Sequence, residues 1–285
     1  MDAELERYVA QADDPRLIPG VYNYCHRRCE QCPFTDRCLV FRQMREDEVR
    51  RPGRDVLEQV GEGVTRTIDL LQAWCEREGI DFEQLREDAT SEAAQAETRA
   101  ADDAVDRDPL HELAASYTSA AFDLVTGLEA LAPFHEWPAA VREALATIGW
   151  YAGMLSAKVD RSLHGFAEGG GPGLGADPIQ NDWNGSAKVA RLAIAESRKA
   201  WDTLLLVGQA PPDARLRKTR ELLDRIDDGL ASRFPNAANF VRPGFDEPEI
   251  AAGALSTLAC DEPRRTARGL RAWLHRIAGG WQRRS

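Results

Sequence analysis

The sequence predicts an all-α fold, an antiparallel helical bundle that carries an N-terminal metal-binding segment with cysteine ligands. Three observations lead to this prediction. Apolar residues recur at intervals of three and four over much of the chain after residue 50, which is the period of an amphipathic helix. No convincing stretch alternates apolar and polar residues as a half-buried strand does. Four cysteines fall within fourteen residues near the N terminus, a density typical of a metal site.

Five long helices are predicted from the apolar spacing. In the first of them, Leu57, Val60 and Val64 begin a stripe that continues to Trp74. The predicted helices cover residues 54–78, about 110–131, about 138–163, about 184–207 and about 213–233. Short or polar segments connect them. Apolar stripes on connected helices become buried when neighbouring helices pack antiparallel, so a bundle is expected.

Three regions are expected along the chain: a metal-binding segment over residues 1–50, the bundle over 51–247 and a basic amphipathic tail over 248–285. Within the bundle, residues 81–108 hold ten acidic and three basic residues, which predicts a solvated helix or a mobile acidic insertion. Residues 165–181 form a Gly-rich loop without the Lys-Ser/Thr pair of a phosphate-binding loop, so a linker is expected there.

Composition and net charge limit which partners and which cellular compartment are expected for this protein. The 285 residues, 43% of them hydrophobic, are enough to bury a core in one or two domains. A formal net charge of −11 disfavours sequence-independent binding to a polyanion, so no nucleic acid is expected as a partner. The chain shows no run of about eighteen apolar residues and no signal peptide, which predicts a cytoplasmic protein without a transmembrane segment.

The cysteines Cys25, Cys29, Cys32 and Cys38 have the spacing C-x3-C-x2-C-x5-C. Four thiolates complete either a 4Fe-4S iron-sulfur cluster or a tetrahedral zinc site, and the reducing cytoplasm disfavours disulfides. Zinc ligands more commonly come as two C-x2-C pairs or as Cys/His pairs. We therefore interpret the four cysteines as ligands of an iron-sulfur cluster, with zinc as the alternative. Aromatic side chains would shield the site from water; they are Tyr22, Tyr24, Phe34 and Phe41.

Parts of this cysteine segment resemble two families. Cys25, Cys29 and Cys32 resemble the C-x3-C-x2-C motif of radical S-adenosylmethionine enzymes, but no alternation of strands and helices follows, and Cys38 would fill the open iron position of their cluster. The stretch Cys29-Glu-Gln-Cys32-Pro-Phe-Thr-Asp-Arg-Cys38 is similar to the end of the cluster motif in iron-sulfur nucleases of the CRISPR-associated and helicase-linked types. That resemblance implies cluster binding; the Asp…Glu-x-Lys core that would imply nuclease activity is absent.

A wider resemblance covers roughly residues 15–247. It is carried by Ile18-Pro-Gly-Val-Tyr-Asn-Tyr-Cys25, Asp182-Trp-Asn-Gly-Ser-Ala-Lys188, Arg233-Phe-Pro-Asn-Ala and Arg242-Pro-Gly-Phe245. These stretches resemble a group of bacterial helical proteins without an assigned function. The resemblance implies no activity.

A second candidate site lies on two consecutive predicted helices. Tyr151, Lys158 and Arg161 belong to one, and Asp182 and Lys188 to the start of the next. If these helices pack antiparallel, the five residues are candidates for a polar pocket in which a buried lysine acts as base or anion anchor and Asp182 orients it. The alternative is that Asp182 begins a helix and the lysines extend into solvent. The sequence contains no Glu-x-x-His, Gly-x-Ser-x-Gly or His-Glu-x-x-His motif.

The C-terminal tail is basic and amphipathic. From Pro263 onward it contains seven arginines, interleaved with Leu270, Trp273, Leu274, Ile277 and Trp281. It is predicted to pack on the bundle as a terminal helix, with docking to a redox or protein partner, to the protein's own acidic insertion or to an anionic membrane as the alternative.

Taken together, the patterns predict a metal-binding protein that acts in redox chemistry, sensing or electron transfer. One alternative is a bundle enzyme that uses the Lys/Asp/Arg pocket. The other is a structural or adaptor protein stapled by zinc.

Overall fold

The computed structural model describes residues 2–50, 56–130, 137–169, 177–207 and 214–246. Within these ranges the chain forms α-helices and turns and contains no strand, so the all-α prediction is confirmed. The helices are α1 Asp2–Ala12, α2 Leu39–Arg50, α3 Val56–Glu78, α4 Phe82–Thr90, α5 Glu92–Asp106, α6 Pro109–Glu129, α7 Ala139–Gly169, α8 Asp182–Val207 and α9 Ala214–Arg233. None of these described helices has the length and apolar character needed to cross a bilayer. The predicted C-terminal tail over residues 248–285 lies outside the described residues.

The described residues divide into two units. The first contains residues 2–22, the described residues between Arg27 and Ala100, and residues 243–246. The second contains Asn23–His26 and Ala101–Arg242. The division passes through the cysteine segment, because Cys25 belongs to the second unit and the other three clustered cysteines belong to the first.

In the first unit, α1 packs against α3. The Arg66 guanidinium of α3 lies 5.1 Å from the centroid of the Tyr8 ring of α1, a cation–π contact. The turn after α1 is held by Asp14, which accepts hydrogen bonds from Arg16 at 2.7 and 3.0 Å and from Arg42 of α2 at 3.0 Å. The bonds from Arg16 first, and then the bond from Arg42, hold the pKa of the Asp14 carboxyl far below its usual range.

In the second unit, α6 to α9 form a four-helix bundle. Helix α7 packs against α6 and α8, and α9 packs against the same two helices from the other side. The His111 ring of α6 lies 2.8 Å from the Asp160 carboxylate of α7, and further along α6 the Thr118 hydroxyl donates to the Ala152 carbonyl of α7 at 2.9 Å. Rising residue numbers on one helix therefore meet falling numbers on its neighbour, which is the predicted antiparallel arrangement.

A tryptophan and a tyrosine form a polar contact in the centre of this bundle. The Trp201 indole N–H of α8 donates to the Tyr117 hydroxyl of α6 at 3.1 Å, and both side chains are fully buried. An indole N–H buried without an acceptor would cost free energy, so this bond lets a large aromatic side chain fill the core. Burial raises the pKa of Tyr117 above its usual value.

Helix α7 is longer than predicted. It continues six residues past the expected end at 163, to Gly169, and so includes the first part of the predicted Gly-rich loop. Gly165 and Gly169 face Trp183 of α8, and a Cβ atom at Gly169 would lie 3.0 Å from the Trp183 ring. Glycine normally weakens a helix, but here its missing side chain makes room for the indole of the next helix, and that packing offsets the loss.

The acidic region over residues 81–108 is helical. The Asp81 carboxylate accepts a hydrogen bond from the Gln84 N–H at 3.0 Å and caps α4. Leu85 and Ala89 of α4 and Val105 of α5 are buried despite the surrounding charge. Of the two predicted alternatives, the helix is therefore the one observed. Helices α1 and α2 were not predicted, because residues 1–50 were interpreted only through their cysteines.

Candidate metal centre

Three of the clustered cysteines lie in the first unit, at the ends of short 3-10 turns. Cys29 begins the turn Cys29–Gln31, and the Cys32 N–H donates back to the Cys29 carbonyl at 3.2 Å. Cys38 follows the turn Thr35–Arg37. Its carbonyl accepts from the Arg42 N–H at 3.1 Å, so Cys38 stands at the N terminus of α2. The positive end of a helix dipole favours negative charge at such a position.

The four clustered cysteines are half-buried. The Phe34 N–H donates to the Cys32 sulfur at 3.4 Å, and hydrogen bonds to ligand sulfurs are among the features that set the potential of an iron-sulfur cluster. The Phe34 ring packs edge-on against Phe245, with the ring centroids 4.9 Å apart. The half-buried Phe34 side chain therefore packs on a second aromatic ring.

In the part of the chain that the structure describes, no three cysteine, histidine, aspartate or glutamate side chains are placed so that they could hold one metal ion. The chemistry of the donor set still fits a metal, because four cysteines within fourteen residues would supply the complete ligand set of a cluster or a structural zinc ion. Assignment of the metal centre therefore rests on the identity and spacing of the cysteines.

A cleft of about 490 Å³ lies beside the motif in the first unit. Thr35 and Asp36, from the turn between Cys32 and Cys38, form one end of its lining. Side chains of α2, among them Phe41, line the rest.

In the second unit, the segment Asn23–His26, which contains Cys25, is held by residues of α7. The Lys158 amino group donates to the Asn23 carbonyl at 2.6 Å. The Trp150 indole N–H donates to the His26 carbonyl at 2.9 Å, and the Tyr151 hydroxyl lies 3.2 Å from Nδ1 of the His26 ring. Backbone groups on both sides of Cys25 are therefore bonded to one rigid helix.

Asp182, at the start of α8, joins the same segment to α7. It accepts from the Tyr24 hydroxyl at 3.0 Å and from the Arg161 guanidinium through two bonds of 2.6 and 2.8 Å. Burial lowers the pKa of Arg161, but the hydrogen bonds and the charge of Asp182 outweigh burial and raise that pKa. A bidentate pair fixes the orientation of both side chains. The Asp182 carboxylate that accepts from the Tyr24 hydroxyl is therefore held in place by Arg161.

The Tyr24 ring occupies a space that a glycine leaves open. A Cβ atom at Gly185 of α8 would come within 2.7 Å of both the Tyr24 ring and the Phe240 ring. These two rings pack with centroids 4.6 Å apart. The Lys188 amino group donates to the Phe240 carbonyl at 2.5 Å, so it holds the chain that covers Tyr24.

The five predicted pocket residues therefore belong to one region, with their polar groups directed at the protein's own chain. Tyr151, Lys158, Arg161 and Asp182 surround Asn23–His26, and Lys188 holds Phe240. Sequence reasoning missed Trp150, Gly185 and Phe240. The sequence does indicate that Gly185 is unusual, because a glycine inside a helical pattern often marks the close approach of another group. It does not indicate that this group is Tyr24. Comparison of the chain with protein-family models, with curated proteins and with solved structures finds no match.

Proposed function

We propose that the protein holds a 4Fe-4S cluster through Cys25, Cys29, Cys32 and Cys38 and acts in redox chemistry, sensing or electron transfer. The observation that carries the proposal is the set of four cysteines with C-x3-C-x2-C-x5-C spacing. A cluster with four thiolate ligands has no open iron, and it supplies one-electron transfer when bound. That chemistry agrees with an electron-transfer or sensing role better than with substrate activation at iron.

Two local features support a thiolate site of this kind. The amide hydrogen bond from Phe34 to the Cys32 sulfur and the helix N terminus at Cys38 both favour negative charge on sulfur. In this proposal the bundle has a positioning role, because Lys158, Trp150 and Asp182 hold the segment that contains Cys25. We assign no catalytic role to Lys158 or Lys188, because both amino groups donate to backbone carbonyls of the protein itself.

The test is metal and sulfide analysis of protein purified without oxygen. About four irons and four acid-labile sulfides per chain, with a brown colour, are expected. Serine at any one of the four clustered cysteines should reduce the iron content. A colourless protein with one zinc ion would replace the cluster by the structural or adaptor alternative, and a protein with neither metal would overturn the proposal.

Cys75 provides the matched control. It is a free thiol on α3 that is fully buried, and burial raises its pKa, so it is poorly suited to act as a thiolate ligand. Cys75→Ala should leave iron and sulfide unchanged. Equal metal loss in Cys75→Ala and Cys32→Ser would mean that folding, and not ligand identity, controls metal content.

A further inference from the structure

Helix α3 of the first unit exposes half of an apolar stripe. Val60, Val64, Ile68 and Leu71 follow one another at helical spacing and therefore share one side of the helix. Val60 is 58% exposed and Ile68 is 42% exposed, whereas Cys75, on the same side near the carboxyl end, is fully buried. The stripe is thus covered at its carboxyl end and open at its amino end. An amphipathic stripe of this length normally packs against a partner surface.

The stretch of sequence that contains this open stripe is acidic. Between residues 56 and 100 the chain has eleven acidic and four basic residues, a net charge of −7. Asp69 is exposed beside Ile68, in the open part of the stripe. A segment that covers the stripe therefore needs apolar side chains on one side and positive charge around them.

The C-terminal tail has this composition. Residues 263–285 contain seven arginines and no acidic residue, a net charge of +7 with histidine neutral. The apolar residues Leu270, Trp273, Leu274, Ile277 and Trp281 have helical spacing. Eleven positions separate Leu270 from Trp281, and eleven separate Val60 from Leu71, so each stripe would be about 16 Å long on a helix.

The described chain that precedes the tail ends in the same unit as α3, and the connecting residues are long enough to reach that helix. The described chain ends at Asp246, which belongs to the same unit as α3. Twenty-three residues separate Asp246 from Leu270, and an extended chain of that length reaches up to about 75 Å. Such a tether places the tail near α3 at an effective concentration on the order of millimolar, which favours it over a second molecule at ordinary concentrations.

We propose that residues 270–281 dock as an amphipathic helix on the open stripe of α3, with the arginines facing the acidic surroundings of that helix. The contact covers Val60 and Ile68 with the two tail tryptophans and pairs opposite charges around them. The docked tail also hides its own basic apolar face, so release of the tail would make that face available to other acidic surfaces. The inference concerns α3 and the tail alone and is independent of the metal.

Hydrogen exchange of the full-length protein, resolved by peptides, tests the contact from both sides. In Trp273→Ala/Trp281→Ala, amides of residues 60–71 should exchange at least about tenfold faster than in the unaltered chain. In Val60→Ser/Ile68→Ser, amides of residues 270–281 should become faster to a similar extent. Because Val60 and Ile68 are exposed, the second variant removes the docking surface without removing core contacts. The control is Leu206→Ser, which changes an 84% exposed apolar residue of the second unit and should alter neither peptide.

Three results would overturn the proposal. Unchanged exchange of residues 60–71 in the tryptophan variant would show that the tail does not cover α3. Protection that rises with protein concentration would assign the stripe to a second copy of the chain. Protection of residues 270–281 that requires vesicles containing phosphatidylserine would assign the tail to membranes. The intramolecular contact predicts instead that protection is independent of protein concentration and decreases at 1 M salt, where the screening length falls to about 3 Å.

Discussion

Substitution of Gly185 tests whether the Tyr24 ring packs on α8 and thereby holds the segment that contains Cys25. An added methyl group would lie 2.7 Å from the Phe240 ring and closer still to the Tyr24 ring. Favourable contacts between carbon atoms begin near 3.5 Å, so both rings must move. Such overpacking costs about 1–3 kcal/mol, and movement of Tyr24 also weakens its hydrogen bond to Asp182, worth about 1 kcal/mol.

The matched control is Gly149→Ala in α7, because a Cβ atom at Gly149 has no neighbour within 4 Å. Alanine is favoured over glycine in a helix by about 0.8–1 kcal/mol, and this gain applies to both variants. Gly149→Ala should therefore be slightly more stable than the unaltered protein, and Gly185→Ala should be less stable than Gly149→Ala by about 2–4 kcal/mol.

Urea unfolding followed by circular dichroism measures this difference. Hydrogen exchange of a peptide spanning residues 23–26 should show local loosening in Gly185→Ala and not in Gly149→Ala. If Cys25 is a cluster ligand, Gly185→Ala should also lose iron faster in the presence of a chelator. Equal stability of the two alanine variants would refute the packing of Tyr24 against α8, and with it the positioning role of the bundle.

Two further predictions concern the bundle itself. Tyr117→Phe removes the acceptor for the buried Trp201 indole N–H and should destabilise the protein by about 1–3 kcal/mol in urea unfolding. Because burial raises the pKa of Tyr117 above the unfolded value of about 10, its contribution is complete below pH 10 and is lost as pH rises toward the raised pKa. Stability of the unaltered protein should then fall above pH 10 more steeply than that of Tyr117→Phe; parallel curves would contradict this. Arg161→Ala should cost about 1 kcal/mol, since the pair with Asp182 is about one-third exposed, and Arg161→Ala/Asp182→Asn should cost less than the two single changes added together. Strict additivity would mean that the two side chains do not interact.

Much of the helical architecture was accessible from the sequence, because helix formation follows local patterns. The five stripes that predicted α3, α6, α7, α8 and α9 repeat with the period of a helix, and recognising that period requires no knowledge of the partner helix. The C-terminal end of α7 was predicted too early because a contact with another helix, and not a local pattern, decides where this helix ends. Gly165 and Gly169 have the local preference of a loop, and only the Trp183 indole of another helix makes them favourable inside one.

Some features of the candidate site are likewise evident from the sequence, and others are evident only from the structure. The sequence by itself determined the all-α class, the four thiols and their spacing, because residue identity and separation along the chain carry that information. Only the tertiary structure decided that Tyr151, Lys158, Arg161 and Asp182 converge on Asn23–His26, and that Gly185 admits the Tyr24 ring. These groups are more than a hundred residues from the segment they hold. Contacts over such separations depend on how helices pack in three dimensions, which no local pattern specifies.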